Sequence, residues 1–269
     1  MTAIRLLLSD VDGTLVRPDK SLSQRTIDGV HSLHAAGVHF AVTSGRPPRG
    51  MEMLVEPLSL TTPLAAFNGG LVVEPGMDVL EERVVPDDVV GSTIALLESF
   101  ELSVWVYRGA DWLVRDPDGP HVARESHTVQ FEPTVVDSFD DVEGGVAKIV
   151  GVSDDHEAVA AAAGAAHDEL GDHVSASRSQ PYYLDVTHPH ANKGGVVRFL
   201  SKRYEIPADA IATIGDMPND VLMFALSGLS IAMGNAHREV QRAARRVTTT
   251  NDEEGFANAV ERFILNEGS

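Results

Sequence analysis

Two aspartates two residues apart, Asp10 and Asp12, close an apolar run that begins Leu6-Leu7-Leu8 and continues into Gly13-Thr14-Leu15. The run reads as a buried strand, and residues two apart on a strand point the same way. Both carboxylates should therefore leave the sheet edge side by side. Anions held that close raise each other's pKa unless a cation lies between them. Open α/β sheets bind ligands beyond the carboxyl edge of their strands, so a carboxylate pair there points to chemistry.

Three more clusters fall at the ends of expected elements: Ser44-Gly45-Arg46, Asn192-Lys193-Gly194 and Gly215-Asp216-Met217-Pro218-Asn219-Asp220. Each has an ordinary reading as a turn or helix start; Asp216, for example, could be an N-cap with Pro218 in the first turn. Lys193 fits that reading worst, because a cation at a helix N-terminus opposes the macrodipole unless an anion binds there. As a set, the clusters offer hard oxygen ligands without His or Cys, which select Mg²⁺ over zinc or copper. A divalent ion, a lysine, a hydroxyl and backbone N–H groups are what a phosphoryl group needs around its oxygens. A carboxylate free to attack phosphorus would form an aspartyl-phosphate.

The order DxDGT, S-G-R, a lysine, then GDxxND resembles the haloacid-dehalogenase-like (HAD) phosphatase superfamily. Gly215–Asp220, Ala232-Met233-Gly234-Asn235-Ala236 and Asn251-Asp252-Glu253-Glu254-Gly255 are similar to the Cof-type sugar-phosphatase subfamily. The resemblance implies a Mg²⁺-dependent phosphatase of small phosphorylated metabolites such as sugar phosphates. It makes Asp10 the nucleophile and a metal ligand. Asp12 becomes the general acid/base, with its backbone carbonyl on the metal. Ser44 and Gly45 hold phosphate oxygens, Lys193 neutralises charge, and Asp216 is a further metal ligand. Asn219 orients the phosphate, Asp220 supports the metal side, and Asn68 turns toward substrate. Ser44 stands where many relatives carry Thr, which keeps the hydroxyl. A phosphotransferase or mutase on the same machinery is the first alternative, and a binding protein without turnover the second.

Elements that would position these residues alternate strand and helix at both ends of the chain, the pattern of a parallel sheet flanked by helices. The first strand leads to a helix capped at Ser21 or Ser23 and ended by Gly37, then strand Val38–Thr43, a helix to about Glu56, and strand Leu64–Phe67. Toward the C-terminus come helix Lys193–Tyr204, strand Ile211–Gly215, helix Pro218–Leu226, strand Ser230–Met233, helix His237–Ala244, strand Val247–Thr249 and helix Glu254–Leu265. The middle reads as helix Asp87–Ser99, strands Ser103–Tyr107 and Asp111–Arg115, a Pro- and acid-rich stretch to Glu143, strand Val146–Val152, helix Asp155–Glu169, and strands Val174–Ser179 and Tyr182–Thr187. The expectation is an α/β protein: a Rossmann-like core from residues 1–84 and 190–269, with an inserted α+β cap domain over 85–189.

Composition narrows the partners. The chain has 269 residues, 43% of them hydrophobic, enough for a proper core. With 21 basic against 40 acidic residues its net charge is −19, which argues against nucleic acid or an anionic membrane surface. An anionic substrate would need local cations to reverse that field. There is no cysteine, so disulfides and thiolate chemistry are excluded. No apolar run approaches the roughly 20 residues of a membrane span, and the start is too short for a signal-peptide core; the default expectation is a soluble, cytoplasmic protein. A calcium loop starting at Asp10 fails because its twelfth position is Ser21, where a bidentate Glu is required. His188 and His190 read as a hinge loop, Trp105, Tyr107 and Trp112 as core, and Arg108, Arg115 and Arg178 as cations available to a substrate or to solvent.

Overall fold

The structure is a computed structural model that describes residues 2–140, 142 and 144–265. The chain runs β1 (Leu6–Asp10), α1 (Gln24–Ala35), β2 (His39–Thr43), a 3₁₀ segment (Pro48–Leu54), β3 (Leu64–Ala66), β4 (Leu71–Val73) and β5 (Val79–Glu82). Next come α2 (Asp87–Ser99), β6 (Ser103–Arg108), β7 (Asp111–Val114), α3 (Val122–Val129), β8 (Thr134–Val135), β9 (Val146–Val152), α4 (His156–Leu170), β10 (Ser175–Gln180) and β11 (Tyr183–Thr187). The last part is α5 (Lys193–Tyr204), β12 (Ile211–Gly215), α6 (Val221–Phe224), β13 (Leu229–Ala232), α7 (Arg238–Ala243), β14 (Arg246–Val247) and α8 (Gly255–Ala259). Among the described residues no helix is long and apolar enough to cross a membrane.

Two sheets organise these elements. The first has the order β14-β13-β12-β1-β2-β3-β4-β5, parallel from β14 to β3 and antiparallel beyond. Its central strand β1 is buried along its whole length because helices cover both faces. Leu7 packs with Val30 and Leu33 of α1 and Phe256 of α8, while Leu6 and Leu8 pack with Val196 and Leu200 of α5 and Met223 of α6. That sandwich explains why the run before Asp10 carries no polar alternation. Helix α1 starts where the Ser23 side chain accepts from Thr26 N–H, and the chain leaves it through Gly37 at φ +74°.

The second sheet has the order β10-β11-β9-β6-β7-β8, antiparallel except for β7 and β8. One face packs against α2 and α4 through residues such as Val104, Val106, Ile149 and Val159. Trp105, Tyr107, Trp112, Val150 and Val152 on the other face join the apolar cluster of the first sheet. The sheets therefore meet face to edge, with the Tyr107 ring 5.3 Å from that of Phe67. The three aromatics expected to be core are buried at this junction.

Differences from the sequence expectation lie where local cues are weak. Helix α3, in the Pro- and acid-rich stretch before Glu143, begins after His121 at φ +60° with no side-chain cap, so no N-cap signature marks it. Strands β4 and β5 are three and four residues long and are formed by pairing, β4 with β3 and β5 with β4, rather than by their own pattern. The expected helix Pro218–Leu226 is a 3₁₀ turn plus one turn of α6, and the C-terminal helix widens into π geometry over Val260–Leu265.

Phe256, 1% exposed and set edge-on to Phe40 with centroids 5.6 Å apart, pins α8 to the first sheet. Phe256→Ala is expected to cost about 3–5 kcal/mol through lost burial and the cavity left behind; a urea midpoint within experimental error of the parent protein would show that this contact does not hold α8.

Candidate active site

Four chain segments meet at the carboxyl edge of the parallel strands. β1 ends in Asp10, in register with Thr43 at the end of β2. β12 ends at Gly215 and hands on to Asp216, while α5 opens with Lys193 behind the cap residue Asn192, whose side chain accepts from Gly195 N–H at 2.9 Å. The glycines are steric requirements here. A Cβ on Gly13, which sits at φ +78°, would run into the Asp216 carboxylate, and one on Gly215 would run into Asp220.

Lys193 occupies the middle of the cluster, 1% exposed, donating to Asp10 Oδ1 at 2.6 Å and Asp220 Oδ1 at 2.5 Å. Burial would lower its pKa, but the two carboxylates outweigh that and raise it, so the ammonium is retained. Asp220 is saturated: its Oδ2 accepts from the backbone N–H groups of Asp216 at 2.9 Å and Met217 at 2.8 Å. Asp10 is not, since its buried Oδ2 has no hydrogen-bond partner. Burial, reinforced by the charges of Asp220 and Asp216, pushes the Asp10 carboxyl well above its ordinary range despite Lys193. Burial and the Asp220 charge likewise raise Asp216 to about 6. Asp216 is held by Thr14 Oγ1 at 3.2 Å and by Asn235 Nδ2 at 3.2 Å, which also donates to the Gly13 carbonyl at 2.9 Å.

Asp12 has the opposite environment. Arg46 forks onto it, Nε to Oδ2 at 2.7 Å and a terminal nitrogen to Oδ1 at 2.8 Å, and Lys20 Nζ donates to Oδ1 at 2.7 Å. Burial acts to raise its pKa, but Arg46 and then Lys20 prevail and hold it at about 2. Asp10, the last residue of β1, and Asp12, in the turn beyond the strand rather than on it, thus sit on opposite sides of the ordinary carboxyl pKa.

Ser44 is 2% exposed and its hydroxyl accepts from Arg46 N–H at 3.2 Å. Its carbonyl accepts from Asn68 N–H at 2.7 Å, and the Asn68 side chain in turn accepts from Asn219 Nδ2 at 3.0 Å. Phe67 and Asn68 both adopt positive φ, 50° and 58°, turning the chain back over Ser44-Gly45. Ser44, Gly45, Asn68 and Asn219 thereby form one polar wall beside the Asp10–Lys193 pair. A second buried hydroxyl, Thr43 Oγ1, has no partner.

The acidic cluster fits a hard cation. One carboxylate oxygen from each of Asp10, Asp216 and Asp220 lies within 4.8 Å of the others. The orphaned Asp10 Oδ2 and the raised Asp10 and Asp216 pKa values mark uncompensated negative charge, and the all-oxygen donor set suits Mg²⁺. Asp220 has both oxygens engaged already, which suits support of Lys193 and the Asp216 loop better than direct ligation.

The residues that clasp Asp12 and the cation contributed by the second sheet carry no signal in the sequence motifs. Arg46 belongs to the Ser44-Gly45-Arg46 cluster, but neither its position there nor that of Lys20 indicates a partner. Lys148 reaches the site from β9, with Nζ 3.5 Å from the Gly45 carbonyl oxygen and 4.9 Å from the Tyr107 ring centroid. A single lysine inside the buried strand Val146–Val152 was the cue available. Of the cations named beforehand, Arg115 pairs with Glu98 and stacks on Phe139 instead. His188 and His190 lie with rings 5.4 Å apart, and the His188 Nδ1 accepts from His190 N–H at 3.0 Å as a loop-closing bond.

Comparison with known proteins agrees with this architecture. The haloacid dehalogenase-like hydrolase family matches residues 7–260. A Haemophilus influenzae protein is 30% identical over 258 residues, with 96% of this chain and 97% of that protein covered. A Bacillus subtilis protein named 5-amino-6-(5-phospho-D-ribitylamino)uracil phosphatase is 27% identical over 264 residues, covering 96% and 97% of the two chains. The crystal structure of a haloacid dehalogenase-like hydrolase from Bacteroides thetaiotaomicron superposes with a TM-score of 0.89 at 28% identity, covering 96% of this chain and 99% of that one. With the family pattern spanning nearly its whole length and its fold shared end to end with a solved member, this chain belongs to the haloacid dehalogenase-like hydrolases.

Proposed function

We propose that the protein is a Mg²⁺-dependent phosphatase of small phosphorylated metabolites that works through an aspartyl-phosphate on Asp10. The observation that carries this reading is the state of Asp10: one oxygen on Lys193, the other buried without a partner among further carboxylates. Such a carboxylate is poised for a cation and a phosphoryl group rather than for structure. The named activity of the Bacillus subtilis relative, on a phosphorylated ribitylamino compound, supports the same substrate class.

Mg²⁺ would be held by Asp10 and Asp216, with the Asp12 backbone carbonyl and support from Asp220, and would supply charge neutralisation that keeps Asp10 ionised. Ser44, the Gly45 backbone, Asn219 and Lys193 bind the phosphoryl oxygens, with Asn68 beside them. An Asp10 oxygen attacks phosphorus, the phosphorus–ester oxygen bond breaks, and Asp12 gives a proton to the leaving oxygen. Asp12 then takes a proton from water, whose oxygen attacks the acyl-phosphate phosphorus to release inorganic phosphate and restore the Asp10 carboxylate. For Asp12 to carry that proton, the Arg46–Lys20 clasp has to open, because it stabilises the charged form. Residues 85–189 act as the cap over a core made by 1–84 and 190–269, with the Trp105–Tyr107 face excluding water from the site.

Phosphate release across a panel of phosphorylated metabolites is expected with Mg²⁺ and not with EDTA, and Asp10→Asn is expected to lower turnover by more than about 10³-fold while the protein stays folded. Near-parental turnover in that variant would reject Asp10 as nucleophile, and product formed without free phosphate would indicate transfer to a second hydroxyl.

Thermal unfolding gives a test of the metal independent of activity. In metal-free protein the folded state keeps the Asp216 proton up to about pH 6, whereas the unfolded chain loses it near the ordinary 3.8. The folded state therefore binds more protons across that window, and stability is expected to fall as pH rises through it. Mg²⁺ binds the ionised cluster, so it should raise Tm at pH 7 far more than at pH 4. An equal shift at both values, or an undiminished shift in Asp216→Asn, would remove Asp216 from the metal site.

A further inference from the structure

The core-facing side of the second sheet carries an ion pair that the chemistry above leaves unused. Strand register sets Tyr107, Lys148 and Thr187 opposite one another across β6, β9 and β11. Asp185 lies two residues before Thr187 and so on the same face. Both charged groups are buried, Lys148 at 8% and Asp185 at 9% exposure, and their charged atoms are 3.8 Å apart. That gap is too long for a hydrogen bond, and Asp185 Oδ1 has no hydrogen-bond partner. A buried carboxylate oxygen without a donor is costly and calls for an explanation. A pair serving only to fasten β9 to its neighbour β11 would close the gap. Here it stays open directly above the Gly45 carbonyl, which is 3.5 Å from Lys148 Nζ, with Phe67 and Tyr107 as apolar walls.

We infer that Lys148 and Asp185 form the subsite for the substrate's leaving group, an assignment that rests on the phosphatase reading. Lys148 donates to oxygens on the leaving group, and Asp185 Oδ1 accepts from a hydroxyl or amine on the carbons near the ester. The aromatic walls take the C–H face of the same carbon chain. The site therefore selects phosphate monoesters of polyols, sugars or amino-polyols over alkyl phosphates of equal length. A donor-matching site discriminates strongly against an analogue that lacks the donor, because the buried acceptor is left empty.

The test compares kcat/KM for sorbitol 6-phosphate and n-hexyl phosphate, with p-nitrophenyl phosphate as a generic ester, in the Mg²⁺-loaded parent protein, Asp185→Asn and Lys148→Gln. The parent should prefer the polyol ester, and each variant should lose about 10- to 100-fold on it, the worth of one charge-assisted hydrogen bond, with a much smaller loss on the hexyl ester. Should one variant fail to fold, the ratio in the other decides. Equal proportional losses on all three esters would make the pair a fastening between β9 and β11 and overturn the inference. So would a parent enzyme that cleaves p-nitrophenyl phosphate but does not prefer the polyol. A parent protein that cleaves none of the three would overturn the phosphatase reading itself, and the subsite with it.

Discussion

Lys193 Nζ lies between Asp10 and Asp220 at 2.6 and 2.5 Å in a region that water scarcely reaches, and the ends of β1, β12 and α5 are arranged around that contact. Burying ions costs several kcal/mol each, so such a cluster survives only if further hydrogen bonds satisfy its remaining atoms. Asp220 meets that condition through two backbone amides, and Asp216 through Thr14 and Asn235. Asp10 does not, and one ammonium faces three carboxylates. The imbalance leaves negative charge uncompensated at the strand ends, where neighbouring helices, glycines and strand register hold like charges together.

The same edge separates two identical side chains by environment. Asp10 is desolvated among anions and Asp12 is clasped by Arg46 and Lys20, so their protonation preferences diverge although only Val11 lies between them. Carboxyls pushed apart in this way are the usual basis for dividing roles between nucleophile and proton carrier. The second sheet deepens the effect. Its aromatic face packs against Phe67 beside the strand ends, and burial strengthens the contacts of Lys193 with Asp10 and Asp220 nearby.

Net charge sets a complementary constraint. At −19 the protein as a whole repels anions. Lys20, Arg46, Lys148 and Lys193 gather at the strand ends and offset part of the negative charge of Asp10, Asp12, Asp185, Asp216 and Asp220, three from the segments around the first sheet and one from β9.

Much of this was legible in the chain itself. The run before Asp10 announced a strand buried on both faces, and Lys193–Tyr204, Ile211–Gly215, Asp87–Ser99 and Val146–Val152 follow from apolar period and caps, because those cues are local. The four polar clusters could be nominated from residue type and spacing. Helix α3 and strands β4 and β5 could not be read, since the first lacks a cap and the others exist only by pairing, β4 with β3 and β5 with β4. Nor could the sequence say that Arg46 and Lys20 would clasp Asp12 or that Lys148 would arrive from the second sheet. Side-chain identity fixes what a group can do, but which charges surround it is a matter of distance across strands remote in the chain. Only tertiary packing sets those distances, and with them the protonation state and reach of each group.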